Sequence, residues 1–184
     1  MSRTIRAALT IAASVAAISG GTTAAHAAGA GPSAATAAPS VAQLQAAHSG
    51  QCLTIPKASL RNGVNAVQSK CVDGEDSQLF DLVPAGGATF EVRPRHSGKC
   101  LDVTSSATTP GAEVQQWWCV GGPQQRWQVI LVDVPKKLYE LRPTHTKDRC
   151  LDIKSASLTD GAAAQQYTCN STPAQRWRLQ APTA

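Results

Sequence analysis

An all-β domain assembled from three copies of one unit is the fold this chain encodes. Three observations carry that reading. Cysteine and glycine recur as Cys52–Gly63–Cys71, Cys100–Gly111–Cys119 and Cys150–Gly161–Cys169, the glycine 11 positions after the first cysteine and the second cysteine 19 after it. Each set closes on a glutamine and an aromatic, in Gln78-Leu79-Phe80, Gln125-Arg126-Trp127 and Gln175-Arg176-Trp177, and the units start 48 and 50 residues apart. Between these landmarks apolar and polar residues alternate and no helical period develops, the pattern of short, half-buried strands. A period of this length marks a repeat architecture. Three equivalent units favour a closed barrel over a two-sheet sandwich.

The chain before the repeats has a different character. Residues 1–27 read as a secretory signal peptide: Arg3 and Arg6 lead, an apolar run from Ala7 to Ile18 follows, and Ala25-His26-Ala27 fits a small-residue cleavage site. That run is too short to anchor across a bilayer, and no later segment is apolar enough to span one. Residues 28–40 are rich in Ala, Gly, Pro and Thr and uncharged, so a flexible linker is expected. The folded domain is expected over 41–182, with copies at about 41–89, 90–138 and 139–182, secreted and monomeric.

Within a copy the elements follow in a fixed order. Phe90-Glu91-Val92-Arg93 and Tyr139-Glu140-Leu141-Arg142 are matching strands that end at proline, and Gln43-Leu44-Gln45 stands in the same place in the first copy. A turn comes next (His48-Ser49-Gly50, His96-Ser97-Gly98, Thr146-Lys147-Asp148), in which His48 and His96 read as turn residues. Cys-Leu and a polar loop lead to the glycine and a strand ending at the second cysteine. The last strand carries the glutamine–aromatic pair. Four strands per copy give about twelve.

Charge excludes one class of partner. Of 17 basic residues, Arg3 and Arg6 fall in the signal peptide, leaving 15 against 12 acids and a net charge of +3 without a basic run. That is a mixed soluble surface, not a nucleic-acid footprint. Six cysteines in an exported chain read as disulfides. Fifteen pairings are open to six cysteines. If each copy folds alike, the bridges are Cys52–Cys71, Cys100–Cys119 and Cys150–Cys169. With no C-x2-C pair and no nearby paired histidines, no metal and no cofactor are expected.

The second copy, HSGKCLDVTSSATTPGAEVQQWWCVGGPQQRW, resembles the ricin-type β-trefoil module, the carbohydrate-binding repeat of ricin B chains and many secreted bacterial glycosidases. The resemblance covers essentially the whole mature domain. It implies a β-trefoil: a six-stranded barrel capped by three hairpins with pseudo-three-fold symmetry, in which Phe80, Trp127 and Trp177 are core aromatics. It also implies a sugar site. That site uses an aspartate two after the first cysteine, a glutamine four before the second, an aromatic two before it, and a polar residue ahead of the Gln-x-Trp glutamine, which steadies the aspartate. The chemistry is apt, because a ring covers the apolar face of a pyranose while a carboxylate and an amide engage its hydroxyls.

The copies differ in these positions. The second holds Asp102, Gln115, Trp117, Gln124 and Gln125; the third holds Asp152, Gln165, Tyr167 and Gln175, but Ala174 in the other polar place. The first has Thr54, Val67 and Ser69 and is read as structural. Strand alternation puts Gln115 and Trp117 on one face and Gln116 on the other, inward, with Gln68 and Gln166 equivalent to it. Trp118 is expected to pack or to touch the rim. Removing Trp117 or Asp102 is expected to weaken polysaccharide retention and barely alter unfolding.

No catalytic constellation is visible. Glycoside cleavage needs two carboxyls aimed at one bond, and Asp102 and Asp152 fall in separate copies. Nucleophile-elbow, zinc-protease and phosphate-loop motifs are missing from the chain. The expected function is a secreted, non-catalytic binder of polysaccharide or glycan, with galactose- or xylose-type units as candidates. The competing reading is a secreted protein-binding trefoil such as a hydrolase inhibitor, with the segment from Val132 to Lys137 as its contact.

Overall fold

The computed structural model describes residues 38–182, and the signal-peptide and most of the linker expectations lie outside them. The described residues form thirteen strands joined by turns and five short 3₁₀ turns. The first copy contributes β1 (Val41–Ala46), β2 (Cys52–Thr54), β3 (Val64–Asn65), β4 (Val67–Ser69) and β5 (Leu79–Gly86). The second contributes β6 (Thr89–Pro94), β7 (Cys100–Val103), β8 (Val114–Trp117) and β9 (Arg126–Asp133). The third contributes β10 (Leu138–Pro143), β11 (Arg149–Ile153), β12 (Ala164–Thr168) and β13 (Trp177–Gln180). The strand beyond twelve arises because Ala66, fully buried, interrupts β3 and β4 in the first copy.

Six strands close into a barrel through antiparallel pairs in the order β1, β5, β6, β9, β10, β13 and back to β1. The first and last strands of the domain are thereby joined edge to edge, from Gln43↔Gln180 to Ala46↔Trp177. Closure removes the open edges that would otherwise invite pairing with another chain. Six of the remaining strands form one hairpin per copy, β2–β4, β7–β8 and β11–β12, and β3 adds to the second hairpin beside β8. This is the β-trefoil.

The core follows from the alternation. Leu44, Val92 and Leu141, one from each leading strand, are fully buried, as are Leu53, Leu101 and Leu151 beside the first cysteines. Phe80, Trp127 and Trp177 are fully buried among them. A buried indole needs a partner for its N–H. Trp127 Nε1 donates to Leu101 O at 3.0 Å and Trp177 Nε1 to Leu151 O at 3.1 Å, the same contact in two copies. Disulfides join Cys52–Cys71, Cys100–Cys119 and Cys150–Cys169, one inside each copy. Ahead of β1, Ala38 packs against the core and Ser40 O accepts from Leu82 N at 2.7 Å.

The inward glutamines hold copy to copy. Gln116 Nε2 donates to Ser59 O at 2.6 Å and Arg61 O at 2.8 Å, in the polar loop of the first copy. Gln166 Nε2 reaches Ala107 O and Thr109 O in the second, at 2.6 and 2.9 Å, and Gln68 Nε2 reaches Ser157 O and Thr159 O in the third, at 2.7 and 2.9 Å. The histidines join the same clamps: His96 Nε2 donates to Ser59 O, His145 to Ala107 O and His48 to Ser157 O. His48 and His96 are therefore more than turn residues, and His145 is their third equivalent. Each loop's carbonyls, with no strand partner of their own, are satisfied by the neighbouring copy.

Candidate functional site

Asp102 and Gln115 are register partners across the β7–β8 hairpin. Gln115 Nε2 donates to Asp102 Oδ1 at 2.9 Å. Gln125, fully buried, donates from Nε2 to Asp102 Oδ2 at 3.0 Å and to Trp118 O at 2.8 Å, while its Oε1 accepts from Val120 N at 2.8 Å. The glutamine of the repeat motif thus ties the chain after the second cysteine to the carboxylate. Asp102 is 4% exposed, so its charge is held by directed N–H groups and not by bulk water.

Trp117 stands beside this floor, 40% exposed, on the same face as Gln115. A cavity of about 350 Å³ is lined by Asp102, Gln115, Trp117 and Gln124 together with Thr104, Ser105, Ser106 and Val120. Residues of the first copy pack beside Gln115 and Trp117. Asn65 pairs with Gln115 through β3–β8, and a Cβ on Gly63 would lie 3.6 Å from the Trp117 ring. With φ at +74°, Gly63 also occupies backbone space that other residues reach only with strain.

The third copy repeats the plan. Asp152 pairs with Gln165 across β11–β12, and Gln165 Nε2 donates to Asp152 Oδ1 at 2.7 Å. Gln175 stands close enough to the carboxylate to draw its pKa down, without the direct bond that Gln125 makes to Asp102. Its Nε2 donates to Thr168 O at 2.9 Å and its Oε1 accepts from Asn170 N at 2.8 Å. Burial raises the Asp152 pKa above the ordinary carboxylate value, against the opposing pull of the hydrogen bond from Gln165, of Gln175 and of nearby His48. Tyr167, 42% exposed, takes the place of Trp117. The cavity here is larger, about 500 Å³, and is lined also by Gly111, Lys154, Ser155, Ala156, Asn170, Thr172 and Ala174.

Of the nine residues named from the sequence, seven line the two cavities, while Gln125 and Gln175 lie fully buried outside the linings. The sequence reading omitted the rim residues at 104–106 and 154–156, and Val120, Asn170 and Thr172 after the second cysteines. The loops carry a signal only in hindsight: Lys57-Ala58, Ser105-Ser106 and Ser155-Ala156 all have positive φ, between 44° and 58°. The same turn occurs in the first copy, so it belongs to the scaffold and not to the site.

In the first copy Thr54 is buried and its Oγ1 donates back to Cys52 O at 2.9 Å. Val67 and Ser69 take the places of the strand glutamine and the ring, so of the ligand set only the motif glutamine, Gln78, persists.

Trp118 has neither of the expected roles in full. It is 62% exposed, with the Lys99 ammonium 3.4 Å from its ring centroid. Glu91 and Glu140 occupy equivalent places, each paired with an arginine two residues on, Arg93 and Arg142. Both lie near cysteines already joined in disulfides, which leaves no thiolate to share a metal.

The family described as the ricin-type beta-trefoil lectin domain matches residues 88–184, over half of the chain. The chain belongs to the ricin-type β-trefoil lectin family. A second description, ricin-type beta-trefoil lectin domain-like, covers residues 33–117 of this lectin-family chain. Among solved structures it is similar to ThreeFoil, a designed 3-fold symmetric protein, at 36% identity and a TM-score of 0.72, covering 77% of this chain and 98% of that one. It is similar at 27% identity and a TM-score of 0.70 to an exo-beta-1,3-galactanase from Clostridium thermocellum, covering 76% of this chain but only 30% of the enzyme. The C-half of an earthworm R-type lectin, solved in complex with GalNAc, shares the fold at 17% identity and a TM-score of 0.60, over 77% of this chain and 98% of that one. No curated protein matches the chain closely.

Membership of this lectin family makes carbohydrate binding the general activity. Three disulfides agree with an oxidising, extracellular setting, and no helix among the described residues is long and apolar enough to cross a membrane.

Proposed function

We propose that the protein is secreted and binds sugar units of polysaccharides or glycans, without turnover, through the shallow sites of the second and third copies. One observation carries the reading. Carboxylate, amide and aromatic ring occur together in two copies and are lost together in the first, while cysteines, glycine and core aromatic persist in all three. A purely structural role for Asp102 and Asp152 would have required them in the first copy as well.

The geometry suits a pyranose. Trp117 or Tyr167 offers a half-exposed ring to its C–H face, and the Asp102 or Asp152 carboxylate, flanked by two glutamines, accepts from its hydroxyls. Galactose- and xylose-type units are the candidates, and the likeness to a galactanase directs attention to galactose first. Each carboxylate sits with its own pair of glutamines, in its own copy, so no two carboxyls flank one glycosidic bond. Single shallow sites of this kind bind at about millimolar strength, roughly −4 kcal/mol, and two on one monomer gain by avidity on a polymer.

A glycan array with the mature domain tests this reading, with competition by free galactose and xylose. Retention that free sugar displaces, and that Trp117→Ala together with Tyr167→Ala abolishes, supports it. An array without signal, or a stoichiometric complex with a hydrolase that free sugar does not disturb, overturns it.

A further inference from the structure

The two cavities are not duplicates, and their differences share one chemical direction. At the place of Thr104 the third copy has Lys154, two residues beyond the aspartate and lining the cavity. Val120 is replaced by Asn170, Gly122 by Thr172 and Gln124 by Ala174. The last change removes an amide that fills part of the second cavity, and the space is about 500 Å³ against about 350 Å³.

The new rim is rich in donors. Asn170 Oδ1 faces the backbone N–H of Thr172 at 3.1 Å and its hydroxyl at 2.8 Å. A backbone N–H can only donate, which fixes the oxygen on that side and leaves the Nδ2 amine as the remaining polar atom of Asn170. Lys154 is exposed and takes part in none of the ion pairs among the described residues, which are Arg93–Glu91, Lys136–Asp133, Arg142–Glu140 and Arg149–Asp148. Its ammonium offers three donors on a long flexible stem. The second cavity has no cationic lining residue.

We propose that the third-copy site selects sugars bearing an anionic substituent, a uronate carboxylate or a sulfate ester, which Lys154 and the Asn170 Nδ2 receive, while the second-copy site takes neutral sugars. This rests on the carbohydrate-binding reading above. The floor of each cavity already carries a carboxylate, so an anionic ligand entering the third cavity would meet only repulsion without a cation at the rim. Lys154 supplies that cation. The widened cavity admits a substituent that Gln124 would block in the second copy.

The test uses the mature protein carrying Trp117→Ala, which silences the second site. Methyl α-galactoside (neutral), methyl α-galacturonoside with its carboxylate free, and methyl α-galactoside 6-sulfate are titrated into it by calorimetry or NMR at low and high salt. At least one anionic sugar is expected to bind about five- to tenfold more tightly than the neutral one at low salt, with the margin shrinking as salt rises. Adding Lys154→Gln brings the ratio close to one. Whether uronate or sulfate gains more identifies the group.

Neutral and anionic sugars binding equally well to the Trp117→Ala protein would overturn this proposal and leave the carbohydrate reading standing. A preference that survives Lys154→Gln overturns it also. Absence of binding by any of these sugars, in wild type as well, overturns this proposal, and the carbohydrate reading then stands or falls by the glycan array.

Discussion

Gln116 Nε2 lies 2.6 Å from the carbonyl oxygen of Ser59, so a side chain of the second copy closes the polar loop of the first. The same residue reaches Arg61 O, and its Oε1 accepts from Ser97 Oγ at 2.8 Å. Its equivalents Gln68 and Gln166 complete a cycle in which every copy clamps the loop of another. The copies are thereby cooperative parts of one domain, not beads on a string.

Replacing Gln116 by Leu keeps the volume and removes the clamp. Ser59 O keeps His96 Nε2 as its donor, whereas Arg61 O and the Ser97 hydroxyl lose the Gln116 amide, and an unpaired polar group costs at most about 1–3 kcal/mol. We expect a total loss of about 2–4 kcal/mol, read as a lower urea midpoint with an unchanged m-value. A change under about 0.5 kcal/mol would mean that water replaces the clamp at no cost.

Trp117→Ala separates binding from stability. The ring is 40% exposed and outside the core, so unfolding should move by less than about 1 kcal/mol. Retention on a polysaccharide column should fall markedly as the stacking face is lost. Unchanged retention in a protein that also carries Tyr167→Ala would remove the basis for both sites.

Asp102→Ala is a different case, and the structure revises the sequence-based expectation for it. The carboxylate accepts from both Gln115 and Gln125, so deleting it strands two amide donors. We expect lost binding together with about 1–3 kcal/mol of lost stability, measured by thermal unfolding in parallel with glycan binding. Trp117→Ala is accordingly the cleaner probe.

Asp152 sets a pH dependence. Its pKa in the folded protein is raised, chiefly by burial, so the native state holds this proton more firmly than the unfolded chain does. The sign follows: the ionised carboxylate weakens the fold as pH rises through that raised value, and the effect is constant above it. Asp152→Asn should therefore be neutral or slightly stabilising near pH 7 and should flatten the stability profile on the acid side. Sugar binding at the third site, which needs the acceptor, should decline as pH falls through the same range, while Asp152→Asn binds poorly at every pH. A profile identical in the two proteins would exclude Asp152 as the titrating group.

Each disulfide closes a loop with 19 residues of separation. Replacing Cys52 and Cys71 by Ser is expected to cost about 2–4 kcal/mol, close to the chain-entropy figure for a loop of this length. Glycan binding by the other two copies should persist wherever the variant remains folded. Loss of binding in a folded variant would show that the first copy takes a direct part.

Much of the fold was legible because its signals are local and said three times. Cysteine spacing, the Gln-x-aromatic pair and strand alternation each recur in every copy, so chance agreement at one place is outweighed by the others. The site was legible for a related reason: Asp102 with Gln115 and Asp152 with Gln165 face each other in hairpins, where register follows from sequence distance. Gln116 and His96 were not legible in function. Their partners Ser59 and Arg61 lie 37 to 57 positions away, and nothing local says that a loop carbonyl will be waiting there.

Sequence alone determined the repeat, the strands, the core aromatics and the two groups of ligand-type residues, because each depends on short-range spacing and on which face of a strand a side chain occupies. Tertiary structure decided how the copies meet. Packing neighbouring hairpins brings Gly63 against Trp117 and Gly111 into the third cavity, and sends Gln116 and His96 to the same Ser59 carbonyl, while closing β13 on β1 lets Gln68 and His48 reach Ser157 O. Those contacts join residues remote in the chain. They arise only when three hairpins are packed around one barrel and the loop carbonyls that have no strand partner must find donors in a neighbour.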